Sequence, residues 1–241
     1  MPVEKILLLP GMDGTGELLL EFMGALPAQI RREIPHYPTD LVLSYDQLAK
    51  LVRSFCEDSP PFVLMAESFS TPLAIRIAAE SPANLQGLIL CAGFATSPVR
   101  GVKRRLASML APLLMRVAMP EAAVRSRLVG RDASTSLVTA ARAAIASVRP
   151  AVMSARLRAV LACDVRSDLH KVAVPMLYLQ ARHDRMVGPR CLEEILSIRP
   201  EIRAVVVDGP HFLLQREPQQ TAQIVTEFVE TCRNARRRNQ K

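Results

Sequence analysis

One serine lies where an apolar run ends and an amphipathic stretch begins. Residues 62–66 are all apolar, which indicates a buried strand, and apolar residues recur at helical spacing soon after Ser68. Ser68 is therefore expected at the apex of a strand–turn–helix, with the small residues Ala66 and Ser70 two positions to either side, as in the G-x-S-x-G turn. Such a turn exposes the serine hydroxyl and places the N–H of Phe69 at a helix N-terminus. This suits attack on a carbonyl carbon followed by stabilisation of the oxyanion.

An acid and a base follow two later predicted strands. Asp184 comes after the run 174–181, and His211 comes after the run 204–207 and before a predicted amphipathic helix. In open α/β sheets the carboxyl ends of parallel strands share one edge, so Ser68, Asp184 and His211 are expected to meet there as nucleophile, acid and base. The alternative is that Asp184 is a simple turn aspartate and His211 an ordinary loop histidine.

Four other side chains compete less well for these roles. Ser70 would lie inside the first helical turn and point away from the sheet edge. Asp164 and Asp208 occupy loops in which a structural role is enough to explain them. Cys91 belongs to an apolar run, which favours a buried strand cysteine over a nucleophile.

A glycine-rich loop follows the first predicted strand, residues 4–9. Gly11, Gly14 and Gly16 allow tight turning and a close approach of the backbone to a ligand, and Gly11 is predicted to contact the substrate. Asp13 is interpreted as a turn former. The spacing does not match a phosphate-binding or dinucleotide motif. We expect neither a metal nor a cofactor.

Composition places the chain among ordinary globular proteins. It has 241 residues, of which 49% are apolar, 22% charged and 4% aromatic. No stretch has the length of a membrane span or the features of a signal peptide. The five cysteines are scattered and odd in number, which favours reduced thiols and a cytoplasmic location.

Predicted strands alternate with helices, which indicates a mainly parallel sheet of about six strands flanked by helices. Strand patterns are absent from about 98 to 169. We therefore predict an α/β core formed by residues 1–97 and 170–241, with residues 98–169 inserted as a helical lid. One amphipathic helix is expected from Val102 to Val117. The methionines and leucines of the insertion have two interpretations: a small core of its own, or a channel for an acyl chain.

Charge is concentrated in the insertion. Residues 98–168 contain 13 Lys and Arg against 4 Asp and Glu, a net charge of +9, within a chain whose total is +8. Residues 233–241 add five further cations. This asymmetry favours an acidic partner or substrate at the insertion over nonspecific binding by a uniformly basic surface. A solvated basic face is equally consistent. Nucleic acid is not expected, because aromatic residues for base stacking are few.

These motifs together resemble those of the α/β-hydrolase superfamily of serine hydrolases. The resemblance rests on residues 9–16, 66–70, 182–184 and 209–212 and covers nearly the whole chain. It implies a hydrolase fold. As a departure from that fold, the usual N-terminal hairpin is expected to be missing, because the first predicted strand already precedes the oxyanion loop. By similarity, Ser68 would be the nucleophile, His211 the general base and acid, and Asp184 the group that orients the imidazole. The oxyanion hole would use the backbone N–H groups of Met12 and Phe69.

Within that superfamily the layout is similar to that of pimeloyl carrier-protein methyl esterases, which have a basic helical lid. The resemblance implies a carboxylesterase of short to medium acyl esters. The most specific substrate that it implies is a pimeloyl-type methyl ester carried by an acidic acyl carrier protein, which would place the protein in biotin biosynthesis. Lid arginines would hold that partner, namely Arg142, Arg149, Arg156 and Arg158. No stable insertion into a membrane is expected.

Two alternatives to ester hydrolysis stay open. Residues 9–16 also resemble a segment of some plant acyl-ester synthases, so a thioesterase or an acyltransferase could use the same three residues. A non-catalytic binding protein on a hydrolase scaffold is the alternative of a different class.

Overall fold

The structure, a computed structural model, describes residues 3–57 and 59–239. Its strands are β1 (Lys5–Leu9), β2 (Arg31–Glu33), β3 (Phe62–Glu67), β4 (Leu85–Cys91), β5 (Met176–Ala181) and β6 (Arg203–Val207). Its helices are α1 (Leu20–Ala25), α2 (Tyr45–Cys56), α3 (Thr71–Ala79), α4 (Gly101–Leu114), α5 (Glu121–Val124), α6 (Thr135–Ala146), α7 (Pro150–Ala162), α8 (Arg166–Leu169), α9 (Pro189–Ile198), α10 (Leu213–Arg216) and α11 (Pro218–Asn239).

The six strands form one sheet in the order β2-β1-β3-β4-β5-β6, and every neighbouring pair is parallel. Helices cover both faces, so the predicted fold class is confirmed. In β1, Leu7 and Leu9 pack into the core beneath α2 and α3, while Ile6 and Leu8 pack into the core beneath α1 and α11. Burial on both faces is why β1, β3, β4 and β5 appear in the sequence as continuous apolar runs.

The sequence gives no apolar signal for β2. This strand has only three residues, Arg31, Arg32 and Glu33, and it pairs with β1 alone at the edge of the sheet. Its side chains are exposed or half-buried. An edge strand that buries no apolar face has no pattern by which to recognise it.

The helices α4 to α8 lie between β4 and β5, where the sequence predicts a helical insertion. Side chains of α5, α6 and the turn between them form a small apolar core. Ser134 caps α6 by accepting a hydrogen bond from the N–H of Leu137 at 3.2 Å.

Helix α4 does not bury its predicted apolar stripe. Ala111 is the only residue of α4 that is fully buried, whereas Val102, Leu106, Met109 and Leu113 are exposed. For these side chains, the interpretation as a packed core is wrong. The helical spacing identified the stripe, but it could not show which way the stripe faces.

No helix within residues 3–57 and 59–239 combines the length and the apolarity that a membrane crossing requires. The side chains of residues 235–241, which complete the basic tail, lie outside the described residues.

Candidate active site

Ser68 directly follows strand β3, at the carboxyl edge of the sheet. Ala66 is still paired in the sheet, with Leu9 on one side and Leu90 on the other. Ser68 then adopts a left-handed backbone conformation with φ of 46°, and α3 follows after one 3-10 turn. A non-glycine residue in this region is strained by about 1–3 kcal/mol. The local structure is therefore the sharp strand-to-helix turn that the sequence predicts.

Side chains from three loops form a continuous chain of hydrogen bonds. The Oγ atom of Ser68 lies 2.9 Å from Nε2 of His211, and Nδ1 of His211 lies 2.8 Å from Oδ2 of Asp184. His211 is buried, while Ser68 is half-buried. A carboxylate beside Nδ1 favours the tautomer in which Nε2 is free to accept the proton of the serine. The geometry thus suits proton transfer from Ser68 to His211.

Both oxygens of Asp184 have partners. Oδ2 faces His211, and Oδ1 accepts hydrogen bonds from the N–H groups of Met186 at 2.7 Å and Val187 at 2.8 Å. The side chain has no exposed surface. These bonds fix the carboxylate against the imidazole. The competing acid Asp208 instead contacts Nε2 of His183 at the protein surface, at 2.9 Å.

Ser70 is held away from the reaction edge. Its hydroxyl is fully buried, donates to the carbonyl of Pro10 and accepts from the hydroxyl of Tyr37 at 2.9 Å. A second buried tyrosine, Tyr45, donates to the carbonyl of Phe69 at 2.8 Å. Ser70 therefore connects the turn around Ser68 to the loop after β1, and its small size at this position has a structural reason.

The two predicted oxyanion donors lie on these connected loops. The N–H of Met12 has no acceptor among the described residues, and Met12 belongs to a turn closed by the hydrogen bond from Gly14 N to Gly11 O at 3.1 Å. Phe69 is the second residue of the 3-10 turn Ser68–Ser70, and the first N–H groups of a helix have no partner within it. The oxyanion role of these two N–H groups therefore stays a prediction.

Arg156 occupies a place that the sequence did not predict. It was expected on an exposed basic surface that binds a partner, but it is only 3% exposed. Its Nη1 atom donates to the carbonyls of Met12 at 2.9 Å and Asp13 at 2.8 Å, and Nη2 donates to the carbonyl of Pro38 at 2.9 Å. The assignment of Arg156 to partner binding is therefore wrong. A cation from α7 instead holds the loop that carries Met12.

Packing around the guanidinium explains one glycine of this loop. The Cζ atom of Arg156 lies 5.8 Å from the ring centre of Tyr37 and 6.0 Å from that of Phe69. A Cβ atom on Gly14 would stand 2.8 Å from Cβ of Tyr37 and 2.9 Å from Nη1 of Arg156, and the φ of Gly14 is +74°. Only glycine fits here without displacing the arginine or the tyrosine.

The carboxyl group of Glu67 is buried directly beside the serine. It accepts a hydrogen bond from Nε2 of Gln215 at 3.0 Å, and burial raises the pKa of Glu67 to about 7. Gly11, which was predicted to contact the substrate, is itself buried, and a Cβ atom there would lie 3.2 Å from Oε2 of Glu67. Sequence reasoning missed this group, although a carboxylate ending a fully apolar run was a usable signal.

The other three arginines that were assigned to partner binding are exposed, as the sequence predicts. Arg142 lies on α6, Arg149 precedes α7 and Arg158 lies on α7. No carboxylate among the described side chains lies within ion-pair distance of these three. Their positive charge is therefore available to solvent or to a partner.

The insertion also contacts the loop that carries the histidine. The N–H of Phe212 donates to the carbonyl of Leu128 at 2.9 Å, and Phe212 packs against the small core of the insertion. Leu128 belongs to a π-helical turn, Arg125–Val129. The insertion thus supports two sides of the site: α7 holds the loop of Met12, and the π-helical turn holds the loop of His211.

Solved structures of several hydrolases share this fold. A hydrolase from Oleispira antarctica superposes with a TM-score of 0.82 at 13% identity, covering 95% of this chain and 92% of that one. A thermophilic esterase from Thermogutta terrifontis gives 0.82 at 19% identity, with coverages of 96% and 91%. The enol-lactonase from Burkholderia xenovorans gives 0.79 at 16% identity, with coverages of 95% and 92%. No curated protein sequence matches the chain significantly. At these identities the likeness shows the fold.

The fold is that of an α/β hydrolase. The profile of the family described as "Serine aminopeptidase, S33" matches residues 33–219, which is more than half of the chain, and the protein therefore belongs to this family of α/β hydrolases. The resemblance seen in the sequence is confirmed at the level of the superfamily.

Proposed function

We propose that this α/β hydrolase is a serine carboxylesterase that acts on short to medium acyl esters. The observation that carries the proposal is the unbroken hydrogen-bond chain Ser68–His211–Asp184 beside two available N–H groups. His211 takes the proton of Ser68 as the hydroxyl attacks the ester carbonyl, and then gives it to the leaving alcohol. Water, activated by the same imidazole, hydrolyses the acyl-enzyme. Met12 and Phe69 stabilise the oxyanion in both steps.

The surroundings of Met12 support an apolar acyl group as the substrate. Met12 packs against a cluster from the insertion that contains Val152 and Met153, and Met115 packs against the same cluster. Methionine side chains adapt to flexible hydrocarbon chains. An acyl chain beside the oxyanion loop would therefore meet an apolar wall, whereas a charged group there would lose hydration without gaining a partner.

Hydrolysis of p-nitrophenyl butyrate tests the proposal. The wild type is expected to turn over this ester, and Ser68→Ala is expected to lower kcat by about 10⁴-fold or more. Ser197→Ala, which alters an exposed serine of α9, is the matched control and should keep full activity. A fluorophosphonate should label Ser68 in the wild type. An unlabelled and inactive wild type would instead favour a binding protein on a hydrolase scaffold.

The same assay separates the alternatives that use the same three residues. With an added alcohol, an acyltransferase would form the transfer ester as the main product, while an esterase would form the free acid. Comparison of oxygen and thio esters of the same acyl chain tests thioesterase activity. We expect the free acid as the main product and the oxygen ester as the better substrate.

An acidic acyl carrier protein is the delivery partner that we propose for the ester. The support is the exposed charge of Arg142, Arg149 and Arg158, which have no carboxylate partner among the described side chains. Arg142→Glu with Arg158→Glu should slow hydrolysis of a carrier-linked acyl ester and leave the free ester unchanged. Arg190→Glu, on the exposed side of α9, is the control. Equal effects on both substrates would count against docking.

A further inference from the structure

Helix α4 exposes the apolar side of an amphipathic helix. Along the chain, apolar side chains between 54% and 81% exposed recur every three or four residues; they are Val102, Leu106, Met109, Leu113 and, just after the helix, Val117. At about 100° per residue, the first four fall within an arc of about 60°. Ala111, the buried residue, lies on the opposite side. Amphipathic helices of globular proteins normally turn this stripe inward, and α4 turns it outward.

The stripe is bordered by positive charge alone. Lys103, Arg104, Arg105 and Arg116 are exposed, and the sequence has no acidic residue between Glu80 and Glu121. No carboxylate among the described residues forms an ion pair with these four cations. On the helical circumference, Lys103 lies to one side of the stripe, and Arg105 and Arg116 lie to the other.

This combination points away from a second copy of this chain as the occupant. A second copy docked through the same face would bring two unneutralised sets of cations together, which opposes association. Specific protein interfaces also carry about one hydrogen bond per 100–200 Å². Apart from its cations, α4 offers one polar side chain, the half-buried Ser108. The face is apolar and cationic, and Ser108 is its one side chain that can accept a hydrogen bond.

We propose that α4 lies on an anionic lipid surface, with its apolar stripe at the boundary between headgroups and acyl chains. A helix with an apolar face and flanking Lys and Arg binds such an interface by burying apolar area and by attraction to anionic lipids. Each cation near the surface strengthens binding by about fivefold. The helix lies flat on the surface and does not span the bilayer.

The position of α4 places the site beside that surface. Helix α4 packs on α7, which carries Arg156, and Met115, just after α4, packs against the cluster of Val152 and Met153 that Met12 also contacts. An apolar ester dissolved in the lipid would then be close to the loop of Met12. This inference goes beyond the proposed ester hydrolysis, because surface binding does not depend on the chemistry of Ser68.

Co-sedimentation with vesicles tests the proposal on the full chain. Binding to vesicles of phosphatidylglycerol and phosphatidylcholine should exceed binding to pure phosphatidylcholine by at least about tenfold and fall with added salt. Leu106→Glu with Met109→Glu should reduce binding to the anionic vesicles by about 10²-fold. Leu20→Glu, at an exposed leucine of α1, is the matched control and should bind like the wild type. Circular dichroism and butyrate ester turnover in buffer should be unchanged in all three proteins.

Two results would overturn the proposal. The first is a wild type that does not sediment with anionic vesicles. The second is a Leu106→Glu, Met109→Glu variant that binds them as the wild type does. If the first result is accompanied by loss, in that variant, of a concentration-dependent dimer or of binding to acyl carrier protein, the stripe belongs to a protein interface. Because ester turnover is measured separately, its absence would refute the proposed function and leave this proposal standing.

Discussion

Replacing Arg156 with lysine tests whether a side chain of the insertion maintains the oxyanion loop. The guanidinium makes three hydrogen bonds to carbonyls of Met12, Asp13 and Pro38, and hydrogen bonds to charged groups each contribute about 1.5–3 kcal/mol. Lysine keeps the charge, but its single ammonium lacks the planar fork that spans these carbonyls. We expect a loss of about 2–4 kcal/mol in the free energy of unfolding, because part of the bonding survives.

The effect on catalysis should fall on kcat. Removing one oxyanion donor outright costs about 10²–10³-fold in kcat, so a displaced but present Met12 N–H should cost about 10- to 100-fold. KM should change by less than about threefold, because Arg156 is almost completely buried. Steady-state hydrolysis of p-nitrophenyl butyrate measures both constants, and thermal unfolding measures stability. Arg158→Lys, on the exposed side of the same helix, is the control.

Chemical rescue distinguishes positioning from general destabilisation. In Arg156→Ala, added methylguanidinium should restore part of kcat, whereas methylammonium should not. An Arg156→Lys variant with a raised KM and an unchanged kcat would refute the reasoning, since it would place the arginine in substrate binding. Unchanged kinetics in a less stable protein would reduce Arg156 to a structural residue.

Three further predictions follow from the buried and strained groups. Burial raises the pKa of Glu67 from its usual 4.5 to about 7. Its contribution to the free energy of unfolding is therefore complete below about pH 4.5 and is lost as the pH rises through 7, by an amount on the order of 3 kcal/mol. In urea unfolding, Glu67→Gln should flatten the pH dependence of stability over this range and the control Glu230→Gln should not; equal slopes in both variants would contradict the assignment. Gly14→Ala should lower the free energy of unfolding in urea by about 1–3 kcal/mol, because Gly14 has a φ of +74° and close neighbours. Gly24→Ala, where nothing lies within 4 Å of the added Cβ, should not lower it. Asp184→Asn should lower kcat by about 10³–10⁴-fold with little change in stability, and a fully active variant would remove Asp184 from the proposed mechanism.

The sequence predicted the strands that position the site better than it predicted the insertion. Strands β1, β3 and β5 are buried on both faces, so each appears as an apolar run whose end marks the sheet edge. Ser68 and Asp184 were identifiable because they follow such runs, whereas His211 follows β6, an edge strand that is mostly exposed but still ends an apolar run. Strand β2 was missed because a short, charged edge strand has no such pattern.

The roles of the lid arginines could not be separated in the sequence. Arg156 and Arg158 lie two residues apart on one helix, yet the first is buried against the loop of Met12 and the second is exposed. The contact between Arg156 and Met12 joins residues 144 positions apart. Local periodicity contains no information about such a partner, so both residues appeared as members of one basic face.

By itself, the amino-acid sequence determined the parallel sheet and which three side chains follow strands at its carboxyl edge, because both depend on where apolar runs begin and end. The tertiary structure alone decided that α4 turns its apolar stripe outward, that Arg156 turns inward and that Glu67 is enclosed beneath Gly11. The physical reason is that a periodic pattern fixes the composition of each face of a helix or strand. What that face meets is fixed by contacts between distant segments.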